Sequence, residues 1–229
     1  MISFKEALSS PIGKKVINAL SALGAVIFVV GHAGGNLTLL GGEGAFNAYA
    51  EKLHHLGILL PIAEIGLVAV FLLHIVSALV VTKDNQSARS HDYEANRETK
   101  GGPSQWSFAS TKMIVSGLIL LAFLIVHLIQ FRFIEYWSAD YGADYYHDLY
   151  AIVYTTFQSE AWTVGYMAVM VFLGFHLRHG VWSMFQSLGI MNSGWKKTFT
   201  GLALIVALLV SVTFLILPPY MYFLAPAPA

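Results

Sequence analysis

Apolar residues run almost unbroken through five stretches of this chain, near 14–40, 57–82, 108–134, 161–187 and 195–218, with charged or turn-forming residues between them. A bilayer core about 30 Å thick takes roughly 20 apolar residues as a helix, so each stretch is long enough to cross. A helix also satisfies its own backbone hydrogen bonds, which lipid cannot do. The pattern predicts an all-α membrane bundle of five transmembrane helices in a single domain, 1–229, with four of the helices forming an antiparallel core. Gly41 to Leu56, the charged run Lys83 to Ser107, the acidic aromatic run Glu135 to Glu160 and the short piece Gly189 to Gly194 read as connections. Pro218, Pro219, Pro226 and Pro228 are expected to end the fifth helix and leave a short irregular tail, because proline lacks the amide donor and blocks helix continuation.

A mean hydropathy of +0.64 over 229 residues agrees with a polytopic membrane protein and excludes one soluble domain. Acidic and basic residues number 13 each, but they are distributed unevenly. If the N-terminus is cytoplasmic, Lys5, Lys14, Lys15, Lys83, Arg89, Arg97, Lys100, Lys112, Lys196 and Lys197 all fall on the inner side. The outer connections hold only Lys52 and the boundary residue Arg132, so the positive-inside rule predicts N-terminus in and C-terminus out, in a cytoplasmic membrane of bacterial or archaeal type. The acids Glu43, Glu51, Glu135, Asp140, Asp144, Asp148 and Glu160 then lie outside. Tyr136, Trp137, Tyr141, Tyr145, Tyr146 and Tyr150 join them as expected interfacial anchors. Met1 to Ser10 contains Lys5 and Glu6 and lacks an apolar core with a small-residue cleavage site, so the first span is expected to remain as a permanent helix. No nucleic-acid partner is implied. Cysteine is absent, which excludes disulfides, cysteine-ligated iron-sulfur clusters and covalently attached heme on this chain.

Polar side chains at membrane depth are costly and usually meet a partner inside the bundle. His32, His74, His127 and His176 each sit in a different apolar stretch. At 1.5 Å per residue, His32 is about 27 Å beyond Lys14 and His127 about 22 Å beyond Lys112, whereas His74 is about 14 Å before Lys83 and His176 about 17 Å before its inner helix end. His32 and His127 therefore share an outer layer, and His74 and His176 an inner one, roughly 14 Å away. Two layers of two imidazoles are what bis-histidine ligation of two b-type hemes requires. Any one of these histidines, taken alone, reads more simply as helix-to-helix hydrogen-bonding glue. Gly24, Ala25, Phe28, His32, Gly35 and Asn36 share roughly one face of the first helix, with Gly31 and Gly34 beside it. Small residues there make room either for a porphyrin or for a close neighbouring helix. Gly174 and Gly180 pose the same alternatives near His176.

The strings Gly31-His-Ala-Gly-Gly-Asn-Leu37, Phe71-Leu-Leu-His-Ile75 and Gly174-Phe-His-Leu-Arg-His-Gly180, followed by Trp182-Ser-Met-Phe-Gln-Ser-Leu-Gly189, resemble the diheme cytochrome b subunit of succinate:quinone oxidoreductases. That family contains the five-helix membrane anchors of succinate dehydrogenases and fumarate reductases, and the resemblance covers all five spans. It implies His74 and His176 on the inner heme iron and His32 and His127 on the outer. It further implies a flavoprotein subunit carrying FAD, an iron-sulfur subunit docked on the inner face, and a membrane quinone, commonly menaquinone, near the outer heme. A higher oligomer is compatible with this picture. The dicarboxylate chemistry belongs to the partners, since this chain has neither cysteine nor a Gly-rich dinucleotide fingerprint. Some family members carry an acid inside the fourth helix that takes part in proton transfer. This chain has Gly174 and no acid within that span.

The remaining candidates have two readings each. Glu64, about 15 Å to the outer side of His74, is a possible proton acceptor from quinol or simply an interfacial acid. His54, His55, Gln130 and Glu135 lie near the same boundary and read first as solvated loop or cap residues. Arg178 and His179, close to His176, are candidates for heme propionates, with Arg178 snorkelling to the interface as the alternative. Two other functions fit the same helices: the cytochrome b subunit of a different respiratory dehydrogenase or hydrogenase, and a heme-free transporter or scaffold whose histidines relay protons.

Overall fold

The computed structural model describes residues 3–87, 113–133 and 148–228, and among these it is helical with no strand. A short helix α1 (Phe4–Ser9) is closed by a reciprocal capping box, in which Ser3 caps the Glu6 amide and the Glu6 carboxylate accepts from the Ser3 backbone. Those bonds from Ser3 hold the exposed Glu6 carboxyl below its ordinary value. The first long helix, α2 (Pro11–Asn36), starts where Ser10 Oγ accepts from the Gly13 amide and Pro11 occupies the first turn. It tightens into a 3-10 segment, Leu37–Gly41. Gly42 then reverses the chain at φ +82°, a left-handed conformation that favours glycine, into α3 (Glu43–His54). Helix α4 (Leu59–Ser87) follows, then α5 (Met113–Phe131), α6 (Leu149–Phe157), α7 (Glu160–Ser187) and α8 (Lys196–Phe223).

Five of these helices, α2, α4, α5, α7 and α8, are long and apolar enough to cross a membrane. The chain is an all-α membrane bundle. Their bounds follow the expected spans within a few residues at most ends; residues 108–112 and 134 lie outside the described residues. Exposed Ile62, Ile65, Val68, Leu72, Val76 and Leu79 give α4 an apolar surface suited to lipid tails.

The spanning helices are antiparallel. Near the N-terminal ends of α2 and α8, Ala19, Val181, Met184 and Ala203 form one buried cluster; this is the near side of the bundle. Leu39, Phe46, Tyr150, Val153, Phe157, Tyr166, Leu217 and Met221 form a second cluster at the far side. Helix α7 packs along α8, α2 and α5, while α4 packs mainly along α2. Around the bundle the order is therefore α4, α2, α7, α5. Among the described residues, no comparable packing joins α4 to α5, α2 to α5 or α4 to α7. Lys14 on α2 meets Asp84 on α4 at 2.6 Å on the near side.

Four expectations are corrected at the far side. Gly41 to Leu56 is not a plain polar connection, because most of it forms the 3-10 segment and α3, which turns Phe46 and Ala50 inward. The described end of the acidic aromatic run forms α6, with Asp148 Oδ1 capping the Ala151 amide at 2.9 Å. Tyr150, expected as an interfacial anchor, is wholly buried and its hydroxyl donates to the Pro226 carbonyl at 2.9 Å. Tyr136, Trp137, Tyr141, Tyr145 and Tyr146 lie outside the described residues. Pro218 and Pro219 do not stop the fifth span either: α8 continues to Phe223. Burial of Leu217, Pro218 and Met221 holds that turn, and Gln158 Nε2 donates to the Met221 carbonyl at 3.0 Å. Tertiary contacts replace the local hydrogen bonds that two prolines remove.

Candidate functional site

The four membrane-depth histidines meet in pairs. His32 on α2 faces His127 on α5, with ring centroids 5.8 Å apart and planes at 82°. His74 on α4 faces His176 on α7, at 6.4 Å and 85°. Among the described residues, each pair joins two helices whose backbones do not pack closely, and the side chains bridge them. The first pair lies toward the far side and the second toward the near side. Ser116 touches His176 from α5, and His127 follows eleven residues later on that helix, which separates the layers by about 16 Å.

Aromatic rings surround the far pair. Phe28 stacks on His32 at 5.4 Å and Phe123 on His127 at 5.6 Å. Phe214 approaches His32 at 5.6 Å, and Phe131 and Tyr166 approach His127 at 5.2 and 6.4 Å. The Asn36 side-chain amide donates to the His32 carbonyl at 2.9 Å and lies 3.4 Å from each ring nitrogen of that histidine. The near pair has polar neighbours instead. Ser116 Oγ lies 3.1 Å from His176 Nδ1, and Ser77 Oγ is 3.1 Å from the His74 carbonyl and 3.0 Å from Asn18 Oδ1.

Nδ1 of His74 and Nδ1 of His127 are buried with no hydrogen-bond partner among the described residues. Buried polar atoms in native proteins are nearly always satisfied, so two such nitrogens in matching positions require an account. A metal supplies one, because neutral imidazole coordinates through an unprotonated nitrogen. The pairs do not offer an all-protein site: no group of three His, Cys, Asp or Glu suited to a metal occurs among the described residues. A four-coordinate zinc would lack ligands there. A porphyrin brings four nitrogens of its own and asks the protein for one or two axial ligands. Two metal–imidazole bonds of about 2 Å, extended by about 1.1 Å to each ring centre, span roughly 6.2 Å, and the two pairs bracket that length. Imidazoles on a common axis can also be rotated freely about it, so near-perpendicular rings fit. The residues present suit bis-histidine heme.

The glycines divide between the two readings left open by sequence. A Cβ on Gly24 would lie 3.1 Å from Val70, and one on Gly174 would lie 3.0 Å from Ser211, so both serve close helix packing. The Tyr49 ring covers Gly35, and Gly180 abuts Met113. Gly31 and Gly34 face open space. Gly117, which sequence reasoning passed over, lies against His176 Cε1.

Glu64 does not stand alone: Arg132 grips both its oxygens, Nε to Oε1 at 2.9 Å and Nη2 to Oε2 at 3.1 Å. This pair joins α4 to the end of α5 at the far side, across the gap that helix packing leaves. Gln130 Oε1 accepts from the Tyr166 hydroxyl at 2.5 Å. His54 is exposed, and His55 lies 3.4 Å from Glu51 on the surface. Arg178 is exposed, while His179 is half-buried with its ring 6.1 Å from Trp182. Glu135 lies outside the described residues, as do Arg89, Arg97, Lys100, Lys112, Asp140 and Asp144. Sequence reasoning missed Ser116 and the Glu64–Arg132 partnership. Contacts between residues 60 and 68 positions apart leave no local signature.

No family model, curated protein or solved structure matches the chain.

Proposed function

We propose that this chain is a diheme cytochrome b membrane subunit of the succinate:quinone oxidoreductase type, passing electrons between an iron-sulfur subunit and a membrane quinone. The observation that carries this reading is the meeting of four membrane-depth histidines in two pairs at axial-ligand spacing, between helices that otherwise stand apart. Resemblance of the strings around His32, His74 and His176 supplies the family and, with it, the flavoprotein partner and a quinone such as menaquinone.

On this reading His32 and His127 hold the far iron and His74 and His176 the near one. When bound, heme iron supplies one-electron exchange without bond rearrangement in the protein. The chain's own work is to position the imidazoles, keep water away and manage charge at the bundle ends. The aromatic collar around the far pair and the covering helices α3 and α6 exclude water there. Lys14, Lys83, Lys196 and Lys197 belong to near-side helix ends, so the near side is the cytoplasmic face and the docking face for the iron-sulfur partner. At the far side Glu64 is the candidate proton acceptor for quinol, with Arg132 as its counter-charge.

A pyridine hemochrome assay on the purified protein tests the reading. The expected result is two b hemes per chain, reducible by succinate when the flavin and iron-sulfur partners co-purify. A heme-free protein overturns it, and a co-purifying nickel or molybdenum subunit reassigns the complex.

A further inference from the structure

Among the described residues, His176 is the one membrane-depth histidine with a side-chain partner that dictates which nitrogen carries the proton. Ser116 is buried, and its Oγ lies 2.9 Å from the Met113 carbonyl on its own helix and 3.1 Å from His176 Nδ1. A hydroxyl has one proton to donate and lone pairs to accept with. The Met113 carbonyl can only accept, so it takes the Ser116 proton. Ser116 Oγ is then left as an acceptor, and His176 Nδ1 must be the protonated nitrogen.

From this we infer that Ser116 is the positioning residue of the near-side pair, holding the His176 Nδ1–H and leaving Nε2 as the nitrogen free to bind iron opposite His74. This rests on the heme reading proposed above. Gly117 supports it locally. A Cβ there would lie 3.5 Å from His176 Cε1, an ordinary contact distance, so α5 runs alongside the ring edge that joins its two nitrogens. The chain Met113 carbonyl, Ser116 hydroxyl, His176 imidazole thus orients the ring from a neighbouring helix, as second-shell acceptors do for metal-bound histidines. Among the described residues, Nδ1 of His74 and of His127 has no such partner, so no hydrogen bond there selects which nitrogen of those rings would meet the iron, and the near pair is asymmetric.

Ser116→Ala and Ser116→Thr in the full chain test this. The readouts are electron paramagnetic resonance of the oxidised hemes, potentiometric titration, and heme loss to a scavenger protein. His176→Ala identifies the near-side signal as the one it removes. Ser116→Ala is expected to shift the near-side resonance and midpoint and to weaken near-side heme retention by about 10- to 100-fold, with the far-side signal unchanged. Ser116→Thr keeps the hydroxyl and is expected to restore the parental signal. A near-side signal unaltered by Ser116→Ala in a two-heme protein overturns the positioning role alone. Loss of both signals together marks a general folding defect and also counts against it. A parent protein without heme overturns this inference together with the reading beneath it.

Discussion

The two histidine layers orient their rings by different means. At the far side, stacked and tilted rings of Phe28, Phe123, Phe131, Phe214 and Tyr166 confine His32 and His127, and two short helices close the end of the bundle above them. At the near side the contacts are polar and few, with Ser116 on His176 the principal one. Packing restrains a ring against rotation but says nothing about which nitrogen is protonated. A hydrogen bond selects the tautomer but contributes little bulk. The far layer therefore rests mainly on volume and the near layer on polar contacts, Ser116 on His176 and the Asn18 backbone on His74, and each should fail in its own way.

The sharpest test of that division, on the proposed heme reading, removes one histidine from one layer at a time. His127→Ala is expected to abolish the far heme and leave the near one, and His176→Ala to do the reverse, each lowering the hemochrome yield from two per chain to about one. Spectra of the single-heme variants should sum to the parent spectrum. Loss of both hemes from His127→Ala alone would break the comparison, because it would make the near layer depend on the far one.

Much of this arrangement was legible in the sequence because lipid imposes a strict length rule. Five apolar stretches yielded five helices, and counting 1.5 Å per residue from the flanking lysines, or for His176 from the inner end of its helix, grouped the four histidines into the two pairs whose rings meet. The far-side cover was not legible. Phe46 and Ala50 repeat at helical spacing inside a stretch of polar and turn-forming residues, too short a signal against Gly41, Gly42 and Gly57. Tyr150 resembles an interfacial anchor until Asn47, Pro226 and the end of α8 enclose it, and those partners are distant in sequence. Pro218 and Pro219 misled for the same reason: local propensity argues for a break, and burial of Leu217 and Met221 overrides it. Ser116 carried no hint, because a lone serine in an apolar helix ordinarily bonds its own backbone.

If volume is what secures the far layer, truncations in its cover should cost more than loss of a hydrogen bond. Phe157→Ala empties a buried site in contact distance of Phe131 and Tyr166 and is expected to destabilise the protein by about 3–5 kcal/mol. Tyr150→Phe keeps the ring and removes only the bond to Pro226, an expected loss of about 1 kcal/mol. Thermal unfolding in detergent followed by circular dichroism measures both. Scavenger-induced heme loss should rise at the far site in Phe157→Ala and stay at the parental rate at the near site. Equal acceleration at both sites would show that the cover stabilises the whole bundle and not one layer.

The smallest effect is expected at the Glu64–Arg132 pair, and it separates structure from chemistry at the far side. Both side chains remain more than a third exposed, 37% for Glu64 and 42% for Arg132, so interfacial water screens their attraction. The pair is then worth about 1 kcal/mol or less in stability, although its two hydrogen bonds are well formed. Arg132→Gln should therefore retain both hemes with unaltered spectra and show only a slight fall in thermal stability. Glu64→Gln should do the same while lowering quinol-dependent heme reduction, because the amide can no longer accept a proton. A far heme lost in either variant would mean that the pair holds α4 against α5 across their open side, and its role would be mechanical. Retained hemes with undiminished quinol reduction in Glu64→Gln would move the proton acceptor elsewhere on the far side.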